Sequence, residues 1–183
     1  MSTNREGTRM PGGIAARTGA HAPWTITPED VTSDVAAGLF RDYYTEVSDR
    51  WYQREHGHDT DPAELEREIA ADAGDGLVPP SGILLVAWYD GEPAGMAGAR
   101  LGDPATAELK RVYLRPAFRG RGGAARLVGA AEDAARGLGA RRIVLDTRND
   151  LVEARTLYAR LGYAETEAYN DAPYAEHWFS KDL

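Results

Sequence analysis

LRPAFRGRGGAARL, residues 114–127, is the stretch whose reading decides the fold. It carries three glycines, four arginines and no acid. An apolar, strand-like segment (Ala107 to Leu114) precedes it, and an alanine-rich, helix-like segment (Gly122 to Leu138) follows it. Glycine between a strand and a helix has no Cβ and accepts left-handed backbone angles, so the main chain can close tightly around an anion. The first turn of the following helix presents N–H groups without partners and a partial positive charge. The stretch therefore predicts a phosphate cradle.

Two common phosphate loops fit poorly. A P-loop needs Gly-Lys-Ser or Gly-Lys-Thr after its last glycine, and neither is present. Gly120-x-Gly122-x-x-Ala125 matches the loose dinucleotide fingerprint, with Asp146 at the end of the next strand at roughly the spacing of a ribose-binding acid. That fold runs its strand almost directly into the first glycine. Here Arg115 to Arg119 intervene, and three antiparallel-looking strands come before.

Outward from the loop, the chain alternates strand and helix signals. Trp24 begins a short strand ending at Pro28. Val31 to Arg54 is helical in pattern, with Val35, Leu39, Tyr43 and Val47 on one stripe. Asp61-Pro62 opens a second helix with Leu65 and Ile69 inward. Ile83 to Tyr89 and Ala94 to Leu101 are strands joined by an Asp90-Gly91 turn. The third strand, Ala107 to Leu114, alternates Leu109, Arg111 and Tyr113 on one face with Glu108, Lys110, Val112 and Leu114 on the other. Arg142 to Thr147 is a strand and Leu151 to Leu161 a helix closed by Gly162. Tyr163 to Tyr169 and His177 to Lys181 are late strands. The order predicts a mixed α/β sheet in one domain, residues 23–183, after a flexible tail of residues 1–22.

Composition narrows the partners. The 183 residues suffice for one sizeable core. With no cysteine, disulfides, thiolate nucleophiles and zinc–thiolate sites are excluded, and a cytoplasmic setting is the simplest expectation. The longest apolar run, Ile83 to Trp88, is too short for a membrane span, and the first residues lack a secretory core. Three arginines against one acid there also resemble a transit peptide. The formal net charge of −8 argues against nucleic acid. Lys110, Arg111, Arg115, Arg119, Arg121 and Arg126 nevertheless fall together, a local basic patch suited to a small polyanion.

Read as Arg119-x-x-Gly122-x-Ala124, the loop resembles a known family. ELKRVYLRPAFRGRGGA (108–124) is similar to the acetyl-CoA-binding motif of the GNAT acyltransferase superfamily. LDTRNDLVEARTLYARLGY (145–163) resembles that family's second motif, with Leu157-Tyr158 followed by Leu161-Gly162-Tyr163. The resemblance covers Ile83 to Tyr163 well. It implies a mostly antiparallel mixed sheet, a V-shaped splay between two central parallel strands, and helices on both faces. It implies acetyl-CoA as co-substrate and direct N-acetyl transfer to a primary amine of a small molecule or peptide.

The resemblance also assigns residues. Val112, Tyr113 and Leu114 would hold the pantetheine arm, and Arg119, Gly120, Arg121, Gly122, Gly123 and Ala124 the pyrophosphate. Tyr158 matches the tyrosine facing the sulfur and is the expected general acid. Glu108, four residues before Val112, is the expected general base, with His177 the alternative. The family asparagine seven residues before the tyrosine is Leu151 here. Asn149 either replaces that cofactor contact or the contact is absent. Trp51, Tyr52, Tyr169, Asn170, Tyr174 and His177 are candidates for the acceptor pocket. His56 and His58 lie in HGHDTD, whose expected reading is a polar loop and not a metal site. No metal, membrane or nucleic acid is expected, and the chain is expected to be a monomer or homodimer. A non-catalytic CoA-binding sensor and a dinucleotide oxidoreductase are the competing functions.

Overall fold

The computed structural model describes residues 23–71, 74 and 76–183. The expected tail, residues 1–22, lies outside the described residues. Seven strands form one sheet: β1 (Trp24–Glu29), β2 (Gly82–Tyr89), β3 (Glu92–Asp103), β4 (Thr106–Leu114), β5 (Arg142–Thr147), β6 (Ala164–Glu165) and β7 (His177–Asp182). The spatial order is β1-β2-β3-β4-β5-β7-β6. All neighbours are antiparallel except β4 and β5. A parallel pair needs a crossover, and α3 (Gly123–Gly137) supplies it. An antiparallel meander before the glycine loop is incompatible with a dinucleotide-binding sheet, which removes that alternative.

The sheet buries one core on each face. Leu127, Val128 and Ala131 of α3, with Tyr158 of α4 (Val152–Arg160), pack against Leu85, Leu109, Leu114, Ile143 and Leu145. On the other face, Leu39, Phe40 and Tyr44 of α1 (Asp34–His56) pack against Leu84, Val86, Met96 and Tyr113. Leu65 and Ile69 of α2 (Pro62–Ala71) lie at that core's margin. β2 is apolar along its whole length because both its faces are covered. Among the described residues, no helix is long and apolar enough to cross a membrane.

Several boundaries differ from expectation for identifiable reasons. Helix α1 starts at Asp34, not Val31, because the Asp30 carboxylate accepts from the Thr32 N–H and hydroxyl at 2.8 and 2.7 Å. Ser33 then caps the helix by accepting from Ala36 N–H at 3.1 Å. The helix continues to His56, where Gly57 turns left-handed at φ 76°. The late strand expected over Tyr163 to Tyr169 shrinks to Ala164–Glu165, because the chain then leaves the sheet edge and sends Tyr169 and Asn170 across to the centre.

The larger correction concerns β4. Met96 pairs with Tyr113 and Gly98 with Lys110, so two steps along β3 match three along β4. Arg111 takes up the extra residue with φ 56°. The bulge breaks the alternation: Leu109 and Leu114 share the α3 core, whereas Tyr113 faces α1. The sequence pattern had placed Leu109 with Tyr113.

Gly123 is needed for close packing. A Cβ there would lie within 3.0 Å of the Trp24 indole, whose Nε1–H donates to the Arg121 carbonyl at 3.1 Å. Gly123→Ala is expected to destabilise the protein by about 1–3 kcal/mol through overpacking. Gly129→Ala, in the same helix with open space around it, is expected to stabilise by about 0.5–1 kcal/mol. Urea unfolding of the two variants checks both signs.

Candidate active site

The centre of the sheet parts. β4 and β5 pair only from Thr106↔Arg142 to Glu108↔Val144. Beyond that, β4 follows β3 to Leu114↔Gly95, and β5 follows β7 to Thr147↔His177. The resulting V opens beside the β4 bulge, where neither Arg111 nor Val112 has a register partner in β3. A non-glycine residue in the left-handed region costs about 1–2 kcal/mol. Arg111 is held there with its guanidinium 5.8 Å from the Tyr43 ring and 5.6 Å from the Tyr44 ring. Burial, opposed by Arg111, pushes the Tyr44 hydroxyl up to about 12.

The glycine loop closes one end of the V. A short 3-10 turn, Pro116–Phe118, leads from β4 into Arg119. Gly120 and Gly122 have φ 74° and 76°, and a Cβ at either would meet nothing within 4 Å. Gly122 is the N-cap of α3 and has no side chain to satisfy the N–H groups of the first turn. This end of the helix therefore points unpartnered donors and its positive dipole end at open space, the requirement of an anion site.

Three arginines of the loop also meet protein groups. Arg115 donates from Nε to Asp42 at 2.6 Å and from Nη1 to the Pro93 carbonyl at 2.7 Å. Arg119 donates to the Leu114 carbonyl at 2.8 Å and to Glu46 at 2.6 Å. Arg121 stacks 4.9 Å over Tyr89. These contacts fasten the loop to α1 and to the sheet.

Two carboxylates stand in the V on the α1 side. Glu108, 9% exposed, pairs with Arg100 at 2.9 Å and Lys110 at 3.4 Å. Asp146 of β5 accepts from Asn170 Nδ2 at 3.0 Å, and Asn170 Oδ1 accepts from Trp178 Nε1 at 2.8 Å. The Tyr169 hydroxyl lies 3.4 Å from both carboxylates. Burial, then the charges of Asp146 and Glu108, push Tyr169 well above the ordinary tyrosine range. Among the described residues, Asp146 is in no ion pair. Tyr158 enters from α4 and packs 5.7 Å from Tyr163 and 6.0 Å from Phe179. Burial, then Tyr43 and Asp146, push its hydroxyl well above the usual range, so it is a proton holder at any physiological pH.

An ion network ties α1 to the loop after β5. Buried Arg148 grips Asp150 at 2.9 and 2.8 Å and donates to the Val47 carbonyl at 2.8 Å. Arg50 bonds to Glu153 and to the Asp150 carbonyl, and Arg54 pairs with Glu176 at 3.1 Å. This network fixes the C-terminal half of α1 over the V. There Trp51 packs against Tyr52 at 4.9 Å and Tyr174 at 5.5 Å.

The structure thus brings Glu108, Tyr169 and Asn170 together, and separately Trp51, Tyr52 and Tyr174. It places His177 elsewhere. His177 contacts Glu165 at 2.7 Å and Asn149 Oδ1 at 3.2 Å, and precedes Trp178, whose side chain reaches Asn170 on the Asp146 side. Asn149 is further held by Arg155 at 3.0 Å. His56 and His58 stack at 5.8 Å, and among the described residues no group of three possible ligands could hold a metal. Sequence reasoning missed Asp146 as a site residue, having weighed it only as a ribose-binding acid. Its signal was an acid at the end of an otherwise apolar strand.

Comparison with known proteins accords with this geometry. The profile of the acetyltransferase (GNAT) family matches residues 40–163. An uncharacterized N-acetyltransferase of Schizosaccharomyces pombe is 37% identical over 97 residues, 52% of this chain and 60% of that protein. The match therefore spans less than two thirds of that relative's length. A GNAT-family acetyltransferase from Staphylococcus aureus superposes with TM-score 0.67 at 12% identity, covering 87% of this chain and 99% of the other. One from Elizabethkingia anophelis, solved with acetyl-CoA bound, superposes with TM-score 0.59 at 17% identity, covering 89% and 100%. The chain belongs to the GNAT acetyltransferase family.

The network carries a pH signature. Burial raises the Asp150 pKa, but hydrogen bonds and charge from Arg148, with Arg54, outweigh it and hold the carboxyl below its ordinary 3.8. A depressed folded-state pKa gives stability that is complete above the unfolded value and is lost as pH falls through the folded one. Asp150→Asn should therefore lower stability at neutral pH and flatten the loss below about pH 4. Urea unfolding between neutral and acid pH reads the difference.

Proposed function

We propose that the protein transfers an acetyl group from acetyl-CoA to a primary amine of a small molecule or peptide, directly and without an acyl-enzyme. The observation that supports it most is that three things adjoin the β4–β5 splay: a helix start at Gly122 with no side-chain cap, a bulge at Arg111–Val112 that falls outside the β3 register, and the carboxylates of Glu108 and Asp146. The donor supplies an activated thioester whose carbonyl carbon accepts the amine while the sulfur leaves.

The chain's own residues fit the remaining tasks. Gly120, Arg121, Gly122, Gly123 and Ala124 form the cradle for the pyrophosphate, with Arg119 bracing it. Val112, Tyr113 and Leu114 offer backbone groups along the splayed edge to the pantetheine arm, and the Val112 N–H is the donor for the polarised carbonyl oxygen. The amine arrives as an ammonium and must lose a proton. Asp146 and Glu108, bridged by Tyr169, form an acidic pair that attracts the cation and accepts its proton directly or through water. Asp146 is favoured because no ion pair occupies it. Tyr158 holds a proton for the departing thiolate.

Tyr158→Phe is expected to lower kcat by about tenfold or more while acetyl-CoA affinity is kept. Asp146→Asn is expected to lower kcat/KM for the amine by about tenfold or more while acetyl-CoA affinity is kept. Amine-dependent thiol release measures both, with calorimetry on acetyl-CoA and NADPH alongside. Binding of the nicotinamide without CoA, or full turnover in Tyr158→Phe, contradicts the assignment.

A further inference from the structure

The aromatic group at the end of α1 is larger than a helix end requires. Trp51 meets Tyr52 and Tyr174 edge-to-face, at 81° and 70°, and His56 lies 5.3 Å from Trp51. Tyr174 is 52% exposed although its ring packs on Trp51. Edge-to-face packing points the positive ring edge of one partner at the face of the next and leaves other faces negative and accessible. A cation set on such faces is attracted by the ring quadrupole, most strongly over tryptophan.

The surroundings have the same sign. Glu64 and Glu68 of α2 raise the Tyr52 hydroxyl after burial has done so. The nearby cations are engaged: Arg67 bonds to Glu64, and Arg54 pairs with Glu55 and Glu176. Among the described residues, Glu68 is in no ion pair, and the whole chain carries a formal charge of −8.

One segment links this group to the carboxylates. The chain between β6 and β7 sends Tyr169 and Asn170 to Glu108 and Asp146, then Tyr174 to Trp51. Tyr174 follows Tyr169 by five positions, which limits their separation to about 17 Å in extended chain. A turn with Ala175 N–H donating to the Ala172 carbonyl at 3.0 Å shortens it.

We propose that Trp51, Tyr52 and Tyr174 form a cation subsite for the acceptor. The acceptor carries a second ammonium or guanidinium group, held on these rings with Glu68 nearby, while its reactive amine lies at Asp146 and Glu108. The acceptor class is then a molecule with two separated cationic nitrogens, of which one is acetylated. This rests on the acetyltransferase reading. It assigns selectivity to the rings and leaves proton transfer to the carboxylates.

The test is calorimetry on the full chain with α,ω-diaminoalkanes, from butane to dodecane, each paired with the 1-aminoalkane of the same length. The matched pairs cancel apolar burial. A diamine of fitting length is expected to bind about five- to tenfold more tightly than its monoamine. Trp51→Leu and Tyr174→Leu should each reduce that ratio toward one, and Glu68→Gln should lower it partly. Unfolding temperature confirms that each variant is folded, and Tyr174→Leu, on an exposed residue, keeps the test valid if Trp51→Leu is not.

Equal affinity within pairs, no amine binding at all, or a ratio that survives in the folded variants overturns the subsite. A short peptide with a free N-terminus and one lysine runs in parallel; tighter binding than every diamine identifies a peptide as the source of the two cations. Thiol release with acetyl-CoA separates the two levels of the account. Transfer without diamine preference overturns the subsite and leaves the acetyltransferase reading. Ring-dependent diamine binding without transfer to any amine does the reverse.

Discussion

The short parallel pairing of β4 with β5 is the constraint on which the site depends. Three residues on each strand are in register, and the strands then follow different partners. A longer pairing would place hydrogen-bonded backbone where the opening now lies. The bulge at Arg111 acts in the same place, removing two β4 residues from the β3 register and turning Tyr113 toward α1. Strain at Arg111 is tolerated because two tyrosine rings of α1 receive its guanidinium.

Around that opening, charge is divided by role. Arg115 and Arg119 are paired with Asp42 and Glu46 of α1 and with backbone carbonyls, while the start of α3 offers main-chain donors without a side-chain cap. Such donors are preorganised and carry no side-chain entropy to lose. Two carboxylates, Glu108 of β4 and Asp146 of β5, stand at the splay, the first countered by Arg100 and Lys110 and the second left with neutral partners. The Arg148–Asp150 network holds α1 above both.

Much of this was legible in the chain. Glycines at 120 and 122 followed by an alanine-rich helix implied an anion site, and the strand order implied a meander ahead of it. Trp51, Tyr52, Tyr169, Asn170 and Tyr174 were named as pocket candidates by the family resemblance, but their grouping as Tyr169–Asn170 and Trp51–Tyr52–Tyr174 needed the fold. Other features were hidden. A bulge has no residue signature when arginine fills the left-handed position, so the faces of β4 were misassigned after Leu109. Asp146 looked like a strand-end charge, because its partners, Tyr169 and Asn170, are 23 and 24 residues away in sequence. The arginine cluster suggested ligand contacts because its counter-charges lie on a helix some 73 residues earlier.

The proposed donor site consists of backbone donors at the start of α3 and along the splayed β4 edge. Amide NMR of the full chain titrated with CoA tests it most directly. The account predicts the largest shifts at Gly120 to Ala124 and at Val112 to Leu114, with little change along β1. Saturating CoA that leaves those amides unmoved, or that moves only residues on the β1 edge, would contradict it.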